Sequence, residues 1–219
     1  MICRAIRQER FPIVDAAWNN SPWKEIPSES IRNHMGKKPD HFPKAEVKIA
    51  YNDTAVGAMF RVEDRYVRAT ASTHQGPVYK DSCVEMFFTP GLDVSEGYFN
   101  LEMNCGGTML FHFQRQPRGE RIVIPDSECG KIPIMHSLLR MVDPEIEEPV
   151  TWTVAFSIPV ALLSGFCRVT APTPRAVWRV NFYKCADDTS HPHWLTWSPV
   201  DLPTPDFHQP ESFGFLQFE

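Results

Sequence analysis

Short runs in which apolar and polar residues alternate recur along most of this chain, and turn-forming residues separate them. The runs predict ten strands, at 45–51, 55–62, 67–71, 84–89, 98–104, 108–113, 132–141, 151–158, 177–183 and 213–218. Twenty prolines fall mostly between the runs and exclude long helices, so short helices are expected only at 28–35 and 159–166. The pattern predicts an all-β fold: an antiparallel β-sandwich of the immunoglobulin or jelly-roll type with one or two short helices.

The chain has no internal repeat, low-complexity tract or linker that would divide it. A length of 219 residues is long for one domain but lies within the range of a single sandwich. Prolines interrupt residues 1–43, and no sustained alternation runs through them. We therefore predict one domain over 1–219, with 1–43 as an irregular N-terminal extension packed on it.

One acidic residue stands out because it interrupts an apolar strand. Glu85 lies between Val84 and Met86 in the run 84–89, and its neighbours on both faces are apolar. Burying a carboxylate there is costly unless a polar group meets it. The strand therefore either contains a structural hydrogen bond or lines a polar site.

Two other predicted strands present a polar face in the same way. A further acidic residue lies just after the end of a third predicted strand. These candidates are Asn100 and Glu102, then Arg179, Asn181 and Tyr183, and finally Asp64. A one-sided sheet often exposes such a face to solvent. The combination of carboxylate, amide, guanidinium and aromatic groups on neighbouring strands also suits recognition of a polyol, because carboxylates and amides bind pairs of hydroxyls.

Aromatic residues in the predicted loops supply candidate stacking surfaces. They include Trp18, Trp23, Trp194 and Trp197, which are typical of residues that cover a core. Tyr79 precedes the Glu85 strand and Phe207 precedes the last strand, and these two are expected to be platforms for a ligand.

Composition excludes several classes of function. The net charge of −5 and the lack of a basic run argue against nucleic-acid binding, and no apolar run approaches the roughly 18 residues of a membrane span. No apolar segment follows the basic N-terminus, so no signal peptide is predicted. The expected location is cytoplasmic if the chain is complete, or secreted or periplasmic if a signal was removed. We expect a monomer or weak dimer.

The metal-binding residue types show no standard spacing. Six cysteines are scattered without a CxxC pair, which favours free thiols over zinc or redox motifs. His191 and His193, close to Asp187 and Asp188, fit no standard zinc motif. No motif for phosphate binding or for a nucleophilic serine or cysteine is present. Metal binding by these residues stays an open alternative, and the sequence does not determine whether the chain holds a metal.

An ordered series of motifs gives the chain a resemblance. The motifs are FRVED at 60–64, DSCVEMF at 81–87, YFNLEMN at 98–104, WTVAFSIP at 152–159, WRVNFY at 178–183 and FHQPESFGFL at 207–216. Over residues 40–219 the chain resembles carbohydrate-binding module family 9-like domains and the wider DOMON group. Each motif is weakly specific by itself, whereas their order and the last motif together are specific.

The resemblance implies a β-sandwich that holds a sugar, at the end of a mono- or oligosaccharide, between two aromatic planes. Tyr79 and Phe207 stand where the family has tryptophans, so the specificity of the founding modules for xylan or cellulose is not expected to transfer directly. By the same resemblance, the residues that hydrogen-bond the sugar are Asp64, Glu85, Asn100, Glu102 and Tyr183. Structural calcium accompanies the founding modules, but no ligands for it can be assigned here.

Three alternatives remain open at this point. DOMON-type sandwiches also hold haem, and Met103, Lys184 or His112 are the candidate axial ligands. A glycoside-processing enzyme would use the carboxylates of Glu85 and Glu102 as acid and base. A scaffold domain whose sugar site has decayed would explain the missing tryptophans.

Overall fold

Strands dominate the described part of the chain, and its α-helices are short. The computed structural model describes residues 1–9 and 17–219, so part of the predicted irregular segment lies outside it. The strands are β1 Ile2–Arg7, β2 Glu29–Ile31, β3 Asn33–His34, β4 Lys44–Tyr51, β5 Ala55–Asp64, β6 Val67–Ala69, β7 Cys83–Thr89, β8 Tyr98–Asn104, β9 Met109–Gln114, β10 Arg121–Val123, β11 Ile134–His136, β12 Val142–Ile146, β13 Val150–Pro159, β14 Val177–Cys185, β15 Trp194–Thr196 and β16 Gly214–Phe218. The α-helices are α1 Asp126–Cys129 and α2 Val160–Leu163.

The strands form two curled layers that share β1. The first sheet has the order β10-β9-β8-β7-β14-β16-β1, and the second has the order β1-β4-β5-β13-β11. Residues 2–5 of β1 pair with β16 and residues 6–7 pair with β4, both in parallel. The other pairings along the two sheets are antiparallel. The predicted β-sandwich is confirmed, with β1 as its parallel strand.

The core lies between the two layers and follows the predicted alternation. The first sheet contributes Val84, Met86 and Phe88 from β7, together with the alternate apolar residues of β8 and β14. Trp152 of β13 and Trp178 of β14 are fully buried in it. Burying a large apolar side chain contributes roughly 1.5–3 kcal/mol, so this layer supplies much of the driving force for folding.

Several short strands differ from the sequence-based expectation. The helix expected at 28–35 is wrong, because Glu29–Ile31 pairs with β4 and Asn33–His34 pairs with β15. Strands β1, β10 and β15 also form where no strand was predicted. β12 lies between the predicted strands at 132–141 and 151–158, and it pairs with β6. These unpredicted strands have two to six residues and show no sustained alternation, and hydrogen bonds to a neighbouring strand decide their conformation.

Loops cover the outer face of the first sheet, so this face is not open to solvent. A second apolar cluster lies there, formed by Met35, Val78, Cys83, Phe87, Tyr98, Leu110, Tyr183, Cys185, Val200, Phe207 and Phe213. Every residue of β7, β8 and β9 is buried. The polar side chains of these strands consequently lie in an enclosed layer between the sheet and its covering loops.

The segment from residue 17 to 26 covers the outer face of the second sheet. Trp23 and Ile26 are buried against Ala50, Met59 and Ala155 of β4, β5 and β13. Lys48 donates to the carbonyl oxygen of Trp23 at 2.7 Å. These contacts attach the N-terminal part of the chain to the sandwich.

A buried ion pair closes one end of the sandwich. The carboxylate of Asp64 accepts hydrogen bonds from the indole of Trp152 at 3.2 Å and from the backbone of Arg65 at 2.9 Å, and it contacts the ring of His41 at 2.7 Å. The ammonium of Lys184 lies 3.5 Å from the same carboxylate. Although burial opposes ionisation, the Lys184 charge and these hydrogen bonds hold the pKa of Asp64 well below its usual range.

We expect Asp64→Ala to destabilise the fold strongly, because it leaves the fully buried Lys184 ammonium without its counter-ion. The free energy of unfolding should fall by about 3–5 kcal/mol in urea denaturation. The double variant Asp64→Leu/Lys184→Met should lose less than the sum of the two single changes. Additive losses, within error, would show that the two charges do not depend on one another.

Candidate functional site

A cavity of about 270 Å³ lies in the covered layer on the outer face of the first sheet. Strands β7, β8 and β9 form its floor. Its walls come from the segment 205–208, from the loop that contains Tyr79, from Asp187 and from Trp194, the first residue of β15. Polar and aromatic side chains line the cavity together, so it can hold a ligand that has both hydroxyl groups and apolar surface.

Two carboxylates lie next to each other on the floor. Glu85 of β7 and Glu102 of β8 are directly opposite in the antiparallel ladder, which places both side chains on the same face. They are 2% and 5% exposed. One oxygen of each is engaged: Glu102 Oε1 accepts from Asn100 at 2.9 Å, and Glu85 Oε1 accepts from the thiol of Cys185 at 3.1 Å.

The other oxygen of each carboxylate, Oε2 of Glu85 and Oε2 of Glu102, is buried and has no hydrogen-bond partner. A buried polar atom without a partner loses its hydration and gains nothing in return, at a cost of about 1–3 kcal/mol. The two atoms therefore mark the place where a ligand with hydroxyl groups would gain most.

A hydrogen-bonded chain of side chains holds the floor in one arrangement. Gln114 Nε2 donates to Asn100 Oδ1 at 3.0 Å and to His208 Nδ1 at 3.1 Å. The hydroxyl of Tyr98 lies 2.8 Å from the same Nδ1. Since Nδ1 accepts from the Gln114 amide, the His208 proton lies on Nε2. Burial lowers the pKa of His208 to about 4, so the ring is neutral at pH 7.

The two floor carboxylates are easier to protonate than usual. Burial is the main cause for both residues, and it raises the pKa of Glu102 to about 7. For Glu85, burial and the neighbouring Cys185 and Glu102 raise the pKa well above its usual value. The floor therefore favours the protonated, neutral form of both side chains more than water does.

Three aromatic side chains line the walls of the cavity. Tyr79 is 38% exposed, and Trp194 is half-buried with its indole N–H donating to Asp187 at 2.8 Å. Phe207 is 8% exposed because its ring stacks on Tyr183, with 4.1 Å between the ring centroids. One face of Phe207 is thus already occupied, and Trp194 is the largest of the three side chains.

The structure brings five of the predicted site residues together at this cavity: Tyr79, Glu85, Asn100, Glu102 and Phe207. Asp64 lies outside it, in the ion pair with Lys184 described above.

Arg179, Asn181 and Tyr183 lie outside the cavity and hold its covering segment instead. Arg179 donates to the carbonyl oxygen of Phe213 at 2.6 Å, and Tyr183 donates to that of Phe207 at 3.1 Å. Asn181 exchanges two hydrogen bonds with the backbone of Ser198, at 3.0 and 2.8 Å. These polar side chains satisfy backbone groups of the loop that forms one wall.

Several lining residues were missed from the sequence, among them His112, Gln114, Trp194 and His208. His112 faces Asn100 across the β8–β9 ladder, and Gln114 lies two residues further along β9. The alternation of the predicted hairpin would have placed both on the floor. Trp194 and His208 come from the long stretch between β14 and β16, where no local pattern indicates what the side chains contact.

The candidate haem ligands do not converge on one site. Met103 is buried in the core between the sheets. Lys184 lies in the same row of the ladder, and its ammonium donates to the carbonyl oxygen of Cys185. The same ammonium contacts His193 and Asp64. His112 lies on the opposite face of the sheet, at the cavity. The structure gives the haem hypothesis no support.

The histidines and aspartates considered as metal ligands from the sequence have other partners. His193 contacts the ammonium of Lys184, His191 stacks on Tyr66, and Asp188 pairs with Lys80. Calcium takes six to eight oxygen ligands. Among residues 1–9 and 17–219, the group of metal-ligating side chains found close together is rich in sulfur, comprising Cys83, Glu85 and Cys185, and does not fit calcium.

We expect Glu102→Gln to stabilise the protein at high pH and to have little effect at low pH. A raised folded-state pKa means that ionisation costs stability: this cost is absent below about pH 4.5, grows up to about pH 7 and then stays constant. The variant removes this cost, which amounts to about 3 kcal/mol at most. The difference in melting temperature should therefore increase between pH 4.5 and pH 8.

The matched control for this experiment is Glu96→Gln, which removes an exposed carboxylate. Its melting curve should run parallel to that of the wild type over the same pH range. A Glu102→Gln difference that does not change with pH would contradict the raised pKa.

Known structures resemble this chain over almost their whole length. A protein from Bacteroides uniformis ATCC 8492, proposed to bind carbohydrate, is 27% identical with a TM-score of 0.86, covering 100% of this chain and 99% of its own. A family 9 carbohydrate-binding module from Caldicellulosiruptor kristjanssonii in complex with glucose is 14% identical with a TM-score of 0.66, covering 99% of this chain and 96% of its own.

A family 9 module from the same organism in complex with cellotriose is 13% identical with a TM-score of 0.69, covering 100% of this chain and 94% of its own. At these two lower identities the likeness concerns the fold. No curated protein is significantly similar in sequence to this chain. Among the described residues, no helix combines the length and the apolar character needed to cross a membrane.

The family assignment comes from the sequence profile. Residues 23–218 match the profile described as carbohydrate-binding family 9, which covers most of the chain and begins before residue 40, where the motif resemblance starts. The predicted resemblance and the expected carbohydrate-binding function are confirmed. The chain therefore belongs to carbohydrate-binding family 9.

Proposed function

We propose that the cavity on the outer face of the first sheet binds a terminal sugar residue without transforming it. The observation that carries this proposal is the pair of buried, unpartnered oxygens on Glu85 and Glu102 at the floor of an open cavity. Hydroxyl groups of a sugar are the donors that these oxygens lack. Because their raised pKa values favour the protonated forms, the two side chains can also donate carboxyl O–H groups, and hydrogen bonds with either form orient the sugar as well as hold it.

The other floor groups complement the carboxylates. Asn100 and Gln114 hold each other in place, and the N–H at His208 Nε2 is a donor next to them. A sugar hydroxyl both donates and accepts hydrogen bonds, so it can bridge a carboxylate and an N–H group. The mixture of acceptors and donors therefore suits hydroxyl groups better than a purely anionic or cationic ligand.

Aromatic walls supply the apolar part of the interaction. Trp194 and Tyr79 line the cavity and are more exposed than Phe207, whose ring is held by stacking on Tyr183. A pyranose ring has C–H groups that pack on aromatic faces. Trp194 thus takes part of the role that sequence resemblance assigned to Tyr79 and Phe207, and it supports an intact site rather than a decayed one.

The size of the cavity suits one sugar ring at the end of a chain. Pockets for larger organic ligands measure about 300–1,000 Å³, and this cavity measures about 270 Å³. The related modules bound to glucose and to cellotriose suggest glucose and cello-oligosaccharides as the first probes.

Binding fits the geometry better than glycoside hydrolysis does. Hydrolysis requires two carboxyl groups that flank the scissile bond, about 5–9.5 Å apart. Glu85 and Glu102 are immediate neighbours on one floor and approach a ligand from the same side. The two residues are therefore assigned to recognition.

A thermal-shift experiment tests the proposal directly. Glucose, cellotriose and xylotriose are compared with the same sugars carrying a methyl glycoside or a reduced end. A ligand that binds only the folded state raises the melting temperature by mass action. A shift with free ends alone supports binding of a chain end, and no shift with any sugar at millimolar concentration would overturn the proposal.

We expect Glu85→Gln to weaken sugar binding by about tenfold to a hundredfold, because one buried acceptor is lost at a cost of about 1–3 kcal/mol. The dissociation constant is measured by isothermal titration calorimetry with the best sugar from the screen. Glu46→Gln, on the second sheet, is the matched control and should bind as the wild type does. Equal affinities for both variants would place the sugar elsewhere.

We expect Trp194→Ala to weaken binding by about tenfold through loss of stacking surface, equivalent to about 1.4 kcal/mol. Trp18→Ala removes a half-buried tryptophan from the outer face of the second sheet and controls for general effects. Circular dichroism confirms that both variants are folded. A loss in the Trp18 variant and none in the Trp194 variant would refute the assignment of the wall.

A further inference from the structure

Two cysteines and one glutamate form a compact group below the cavity. Cys83 of β7 and Cys185 of β14 are directly opposite in the antiparallel ladder, and Glu85 follows Cys83 by two residues on the same face. The two sulfur atoms and a carboxylate oxygen lie within 4.8 Å of one another. The strand register alone therefore produces a cluster of three metal-ligating groups.

The group is buried, and one hydrogen bond lies within it: Cys185 Sγ donates to Glu85 Oε1 at 3.1 Å. The contacts that the two sulfur atoms make outside the group are longer. Cys83 Sγ lies 3.6 Å from the carbonyl oxygen of Val84, and Cys185 Sγ lies 3.6 Å from that of Tyr79. Glu85 Oε2 has no partner. Glu85 and Cys185 both line the cavity, so an ion can reach the group from solvent through it.

We propose that Cys83, Cys185 and Glu85 form a binding site for a borderline-soft divalent cation, of which Zn²⁺ is the representative, with the fourth coordination position open to the cavity. This site is separate from the calcium that accompanies the founding modules, and its argument does not use sugar binding.

The ligand chemistry selects the class of cation. Thiolates favour zinc and other soft or borderline metals, whereas calcium and magnesium require oxygen ligands. In tetrahedral coordination with a Zn–S distance of about 2.3 Å, two sulfur ligands lie about 3.8 Å from each other. The ligand atoms of the group lie within 4.8 Å of one another, so their present spacing is at most about 1 Å wider than this. Each cysteine loses its proton to solvent as its sulfur binds the cation.

Three protein ligands leave one position free. Zinc sites with three protein ligands keep the fourth position for water or for another ligand, while sites with four protein ligands are closed. Here the free position faces the cavity that contains Glu85 and Cys185. A bound cation would consequently be accessible to small molecules in that cavity.

The test uses the full chain, treated with a chelator and kept reduced with a phosphine, in the absence of sugar. Zn²⁺ binding is measured by calorimetry. Co²⁺ is then titrated while absorption is recorded, because thiolate ligands give a charge-transfer band and tetrahedral geometry gives intense visible bands. We expect one cation per chain, with both bands and with displacement of Co²⁺ by Zn²⁺.

Variants identify the ligands. Cys83→Ser and Cys185→Ser should each weaken Zn²⁺ binding at least tenfold and reduce the charge-transfer band, and Glu85→Gln should weaken binding while leaving that band. Cys105→Ser is the matched control, since this cysteine is buried in the core on the other face of the sheet. It should bind as the wild type does.

The Co²⁺ spectrum of the wild type needs no variant, so it remains decisive if a cysteine variant fails to fold. Absence of Zn²⁺ binding, absence of the charge-transfer band, or unchanged binding in the folded Cys83→Ser and Cys185→Ser variants would overturn the proposal. A protein that binds sugar but no Zn²⁺ would refute only the cation site, and one that binds Zn²⁺ but no sugar would refute only the sugar site.

Discussion

The ladder between β7 and β14 is buried on both faces, and the rest of the structure depends on this constraint. On the inner face its apolar residues pack in the core between the two sheets. On the outer face its polar and aromatic residues must find partners without the help of water, since unsatisfied buried polar groups are costly. The covering loops supply many of those partners, but one oxygen each of Glu85 and Glu102 at the cavity is left without a partner.

The outer-face polar residues divide into two groups with different roles. Arg179, Asn181 and Tyr183 bond backbone groups of the covering segment. Glu85 and Glu102 each keep an unpartnered oxygen. The first group stabilises the wall, and the second retains binding capacity for a ligand. Glu85 also belongs to the cysteine group, so a cation and a sugar would compete for the same carboxylate.

Buried charge is tolerated elsewhere in the sandwich because it is paired. Lys184 and Asp64 are fully buried together, and His41, His193 and Trp152 complete their contacts. Such an arrangement is sensitive to the removal of one partner. Asp64, to which the resemblance assigned a hydrogen bond to the sugar, therefore takes part in this buried ion pair instead.

The sequence by itself determined the sandwich class, the long strands, the inward-facing residues of β7, β8 and β14, and the family. These follow from local alternation, because successive side chains of a strand point to opposite faces. It also indicated Glu85, Asn100 and Glu102 as anomalies, since polar residues interrupt an apolar pattern there.

Only the tertiary structure decided which polar residues face the cavity and which hold its wall. Asn181 and Glu85 are similar polar interruptions in the sequence, yet a loop covers the first and leaves an oxygen of the second free. The positions of Trp194 and His208 depend on the path of a long loop, which has no periodic pattern of its own. Strand alternation determines the face on which a side chain lies, whereas contacts distant in sequence determine what covers that face.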